Sequence, residues 1–142
     1  MASFVEQLRN NSVALISLVV AITALAYNTW RNEQSEENRN IRQAGIAMIQ
    51  ELAGLQQVVL FAGFGPEDGR GDPKLGWAHV LAIRDFSYAM PESVQANAAA
   101  LHAAWEDNFE QITEPESAQY EIIDNQIDAT KTEVLEAIGM LD

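Results

Sequence analysis

His79 and His102 are the only imidazoles in this 142-residue chain, and imidazole is the side chain best suited to proton transfer or metal binding near neutral pH. His102 and Glu106 lie at i and i+4, on one face of a helix, which offers a single weak ligand pair. Neither histidine has the Glu-x-x-His spacing by which helical bundles hold paired metals. Glu106, Asp107, Glu110, Glu114 and Glu116 cluster around one helix connection and would attract a cation only loosely. Tight coordination needs an inward histidine or a glycine-turned loop of oxygen ligands. Ser87, Ser93 and Ser117 lack the strand-turn-helix context of a nucleophile elbow. Cysteine is absent, which removes thiolate nucleophiles, disulfides and cluster ligands together. The residue types therefore point to a non-enzymatic chain with no metal or cofactor.

The segment "GFGPEDGRGDPKLGW", residues 63–77, holds five glycines and two prolines and reads as a loop running into a helix. A phosphate cradle would end in Gly-Lys-Ser/Thr, which is missing. Glu67, Asp68 and Asp72 do not have the alternating spacing of a calcium loop. Arg70-Gly71-Asp72 matches the tripeptide read by integrins, but nothing else in the chain suggests cell adhesion. Asp72 before Pro73 has a simpler role as the N-cap of a helix reaching about Met90, and in that reading Arg70 has no structural task.

Four amphipathic segments follow from the spacing of apolar residues. The first carries Ile41, Gly45, Met48, Leu52, Leu55, Val59 and Ala62 at alternating steps of three and four, with a second row at Ile46, Ile49, Ala53 and Leu60. Two adjacent rows make a stripe wider than a coiled-coil seam and predict packing within a bundle. The second segment turns Trp77, Val80, Leu81, either Ile83 or the stem of Arg84, and Phe86 to the core. A third starts at Pro91 and carries Val94, Ala98, Leu101, Trp105, Phe109 and Ile112 on one face. Thr113 and Glu116 have capping-box spacing before the last, whose inward residues are Tyr120, Ile123, Ile127, Val134, Ile138 and Leu141. The fold class is all-α, a small acidic bundle over residues 41–142.

Ahead of the bundle, the 19 residues from Ser12 to Trp30, "SVALISLVVAITALAYNTW", carry no charge. As a helix they measure about 28 Å, the thickness of a bilayer's hydrocarbon core, and predict a single N-terminal transmembrane helix after a short tail, 1–11. Tyr27, Trp30 and Arg31 belong at the membrane interface. Ala24-Leu25-Ala26 would suit signal-peptide cleavage, but the preceding "MASFVEQLRN" sets one arginine against one glutamate, unlike a basic leader. The span holds no ionisable group for a proton or ion relay. Ala14, Ser17, Ala21 and Ala24 place small side chains along one face, where a second helix can approach closely. "NEQSEENRN", within a polar stalk over 31–40, contains neither Gly nor Pro, so the helix is expected to continue into the bundle. This apolar-then-amphipathic helix resembles that of a type IV pilin in shape alone, because the Gly-Phe processing site and the glutamate at the fifth mature position are missing.

Charge is uneven. The chain has a net charge of −13, and Pro91 to Asp142 holds twelve acids against Lys131 alone. Such a surface repels phosphate backbones and excludes nucleic acid as a partner. The expected partners are the bilayer and either copies of this chain or other membrane subunits. The expected function is that of an anchored subunit or scaffold. A sensor with an apolar pocket near Trp77 and Trp105 is the alternative. Arg31, Arg39 and Arg42 outnumber Arg9 and the α-amino group beside the span, so the positive-inside rule places the bundle in the cytoplasm.

Overall fold

The computed structural model describes residues 11–65, 69–112 and 117–141, and these are helical with no strand among them. The helices are α1, Ser12–Phe64; α2, Pro73–Ser87; α3, Glu92–Asn108; and α4, Ala118–Gly139. A single 3₁₀ turn, Phe109–Gln111, follows α3. The chain divides into two compact units, one up to Asn38 and the other from Arg39 to Asp142.

In the first unit the side chains from Val13 to Trp30 are exposed. The hydroxyl of Thr23 donates to the Val19 carbonyl at 2.8 Å, which satisfies it within its own helix and makes it tolerable in an apolar medium.

The second unit is the bundle, and its core follows the predicted faces. α1 buries Gly45, Met48, Leu52, Leu55 and Val59, the three-and-four seam read from the sequence. α2 adds Val80 and Ile83, α3 adds Val94, Ala98, Leu101 and Trp105, and α4 adds Ile123, Ile127 and Val134. Ile41 and Ala62 are half-buried at the ends of the seam. Thr130 is a buried polar residue that the apolar pattern passed over. Its hydroxyl donates to the Gln126 carbonyl at 2.7 Å and so needs no water.

The second row of α1 departs from expectation. Ile46 and Leu60 are 52% and 47% exposed, Ala53 is exposed, and only Ile49 is half-buried. Leu81 and Phe86 on α2 are likewise exposed. Ile138 on α4 and Leu141 just after it are only half-buried, while Ala137 is buried.

The helix ends have local causes. Asp72 sits in extended backbone and accepts from the Lys74 amide at 3.0 Å, with Pro73 as the first helical residue. Gly69, at φ +85°, makes the turn before it, and its carbonyl accepts from the Asp72 amide. α2 stops at Ser87 rather than near Met90. The Ala89 and Met90 amides fold back onto Phe86 and Ser87 in a tight turn, because a residue before proline avoids helical backbone and Pro91 follows. The Gln95 side chain then donates to the Met90 carbonyl at 2.8 Å. Ser117 caps α4 by accepting from the Tyr120 amide at 3.1 Å. The capping box expected at Thr113 and Glu116 lies outside the described residues.

Asp72→Ala is expected to lower stability by about 1 kcal/mol through the lost cap. A urea melt followed by circular dichroism measures it, and an unchanged midpoint would remove the cap from the account.

Candidate functional site

Among the described residues, the side chains that the sequence singled out for chemistry do not gather at one place. His102 Nδ1 lies 4.0 Å from Glu106, a contact at the surface, and its ring meets Trp77 edge-on, with centroids 5.6 Å apart. Glu106, Asp107 and Glu110 are exposed, and Glu114 and Glu116 lie outside the described residues. Among the described residues, no group of three or more His, Asp or Glu side chains could hold a metal. Ser87 donates to the Arg84 carbonyl at 2.7 Å and Ser117 serves as a cap, so both hydroxyls have structural work.

One polar pair was not visible in the sequence. His79 Nδ1 and Glu51 Oε2 are 2.7 Å apart and both half-buried, joining α2 to α1 across 28 positions. The approach depends on Gly54, since a Cβ there would collide with the imidazole. No short-range spacing marks such a pair. The isolated glycine in a helical pattern was its one sequence signal.

The Arg70-Gly71-Asp72 tripeptide is occupied within the fold. Asp72 caps α2. Gly71 passes so close to the backbone of Phe61 and Ala62 that a Cβ has no room. The Arg70 guanidinium lies 4.2 Å from the Phe61 ring centroid, which corrects the expectation that Arg70 has no structural task. A cation over an aromatic face contributes roughly 0.5–1 kcal/mol at an exposed site.

The tryptophans differ in setting. Trp30 is 58% exposed beside Tyr27. Trp77 is half-buried, its ring 5.6 Å from that of Phe109. Trp105 is fully buried. A pocket near Trp77 and Trp105 was expected; the bundle has a groove that neither tryptophan lines. It runs between α1 and α4, has a volume of about 880 Å³, and is lined by Ile49, Leu52, Leu60, Phe61 and Phe64 on one side and Ile127 and Lys131 on the other. Ile49, Ala53 and Leu60 of the second row of α1 are among its lining. Trp105 fills the core where α2 approaches α3 closely at Gly76, since a Cβ there would overlap the indole. At the groove's rim, Phe64 meets Tyr120 edge-on at 6.1 Å. Burial, helped by the Asp124 carboxylate, pushes the Tyr120 phenol above its ordinary pKa.

The span residues Ala14, Ser17, Ala21 and Ala24 are exposed along α1, as are Tyr27, Trp30 and Arg31. α1 is long and apolar enough to cross a membrane by length and composition, and none of its apolar window is buried. No protein-family model, curated protein or solved structure matches the chain.

Proposed function

We propose that this chain is a non-enzymatic, single-pass membrane subunit. Residues 12–30 cross the bilayer, and the acidic bundle assembles with copies of the chain or with other membrane proteins. The observation that carries this reading is the exposure of the apolar half of α1: Val13 is 75% exposed, Val20 62% and Leu25 68%. Apolar surface left in water costs about 25 cal/mol per Å², so a run of such side chains calls for lipid or partner helices around it. Core helices of soluble proteins are mostly buried, whereas none of this apolar window is, which supports the reading.

Ala14, Ser17, Ala21 and Ala24 are the face for pairing in the membrane, because small side chains let two backbones meet closely enough for packing and weak hydrogen bonds. The double substitution Ser17→Leu with Ala21→Leu keeps the span apolar and blocks that approach. Association of the full chain in detergent, read by energy transfer between labelled copies, is expected to fall by about tenfold. The protein should stay in the pellet on carbonate extraction of membranes. Unchanged association would sink the pairing face, and release of the unaltered chain by carbonate would sink the anchor.

The bundle belongs in the cytoplasm, because Arg31, Arg39 and Arg42 follow the span and the orientation rule counts lysine and arginine near its ends. Alkaline phosphatase fused after Asp142 should therefore be inactive in cells, and strong activity would place the bundle outside. A second reading, a ligand-binding bundle, is favoured by the groove between α1 and α4.

A further inference from the structure

We infer that the groove between α1 and α4 binds a single-chain anionic amphiphile, a long-chain carboxylate of the fatty-acid type. This rests on the bundle from Arg39 onward and holds whether or not residues 12–30 cross a bilayer.

The groove matches such a molecule in size and in the character of its walls. Its volume of about 880 Å³ lies within the range of small-molecule sites, roughly 300–1,000 Å³. The α1 wall runs from Ile49 to Phe64, about 22 Å along a helix axis, comparable with an extended long acyl chain. Ile49, Leu52, Leu60 and Phe64 face Ile127 across it, and Leu60 and Phe64 remain 47% and 70% exposed. An acyl chain laid there removes water from both surfaces at once.

Charge selects the headgroup. Among the described lining residues Lys131 is the only ionised side chain, although its segment of the chain is otherwise acidic. It makes no ion pair or hydrogen bond among the described residues. Asp124, two turns earlier on α4, accepts from the Gln56 amide at 2.6 Å, and neither it nor Asp128 lines the groove. Gln56 and Gln57 are the uncharged polar residues of an otherwise apolar lining. One ammonium there balances one negative charge, which favours a carboxylate over a phosphate dianion and rejects a cationic headgroup. The overall negative charge opposes any anion at long range. That field is screened beyond about 8 Å at physiological salt, so the nearby ammonium decides.

The test uses the full chain held in amphipol, with a diazirine-bearing palmitate as probe and mass spectrometry to locate adducts. Adducts are expected on peptides covering 49–65 and 123–131. Palmitate should displace the probe, and hexadecanol, of equal length but uncharged, should need about fivefold more. Lys131→Gln should bring palmitate down to the hexadecanol level, and Lys131→Arg should retain the difference. Leu60→Asp, at an exposed position, should abolish labelling without moving the melting curve. Equal competition by alcohol and acid, or indifference to Lys131→Gln, would overturn the proposal. So would displacement by phosphatidylglycerol as effective as by palmitate, which would assign the groove to a two-chain lipid. Groove residues cross-linking to a second copy, unaffected by palmitate, would assign it to a helix instead.

Discussion

Trp105→Ala is expected to lower the stability of the bundle by about 4 kcal/mol. The indole is fully buried on α3, stacks on Phe109 with centroids 6.4 Å apart, and occupies the space left by Gly76. Alanine removes most of that buried surface and leaves a cavity that three packed helices close only partly. Trp105→Phe should behave differently. The Trp105 Nε1 proton is buried and has no acceptor among the described residues, and an unpaired buried donor costs about 1–3 kcal/mol. Phenylalanine loses some packing but also removes that donor, so the net cost should stay below about 1.5 kcal/mol. Urea melts of the full chain in mild detergent, followed by circular dichroism, compare the two. Phe as damaging as Ala would mean that the indole N–H contributes to stability.

Gly76→Ala should cost about 2–3 kcal/mol, although on an isolated helix alanine is better than glycine by about 1 kcal/mol. The reversal comes from contact, since the new methyl would overlap the six-membered ring of Trp105 and both backbones are fixed by their helices. A double-mutant cycle isolates this. In the Trp105→Ala background the overlap disappears, and Gly76→Ala should become neutral or stabilising, a coupling of about 2 kcal/mol or more. Equal effects in both backgrounds would show that Gly76 is required for a reason other than the indole.

The helical fold was legible because each core face repeats at three and four. Met48, Leu52, Leu55 and Val59 were placed correctly from that period alone, and so were Val94, Ala98, Leu101 and Trp105. The Asp72 cap was legible because its chemistry is local. Periodicity gives the direction in which a helix is apolar, but not how many neighbours are present to cover it. The row Ile46, Ala53, Leu60 therefore reads as core when it is exposed. The groove belongs to the same class of information, since it depends on where α4 lies against α1. Pairing of Glu51 with His79 depends on how α2 sits against α1, and no spacing within either helix encodes it. The contact of Gly76 with Trp105 is of the same kind, since a large ring beside a glycine on a neighbouring helix is set by how the helices meet.

Three tryptophans in three surroundings give the chain its own optical reporters. Trp105 is sealed in the core, Trp77 is half-buried and Trp30 stands exposed on the apolar helix. A variant retaining only Trp105 should emit at short wavelength until the bundle melts, then shift to the red in one step. A variant retaining only Trp30 should ignore that melting and respond instead to the medium around the helix, including brominated lipid, which quenches indole at contact. Loss of tertiary packing and transfer of the helix between media can thus be followed as separate colour changes in one preparation, without attaching a dye.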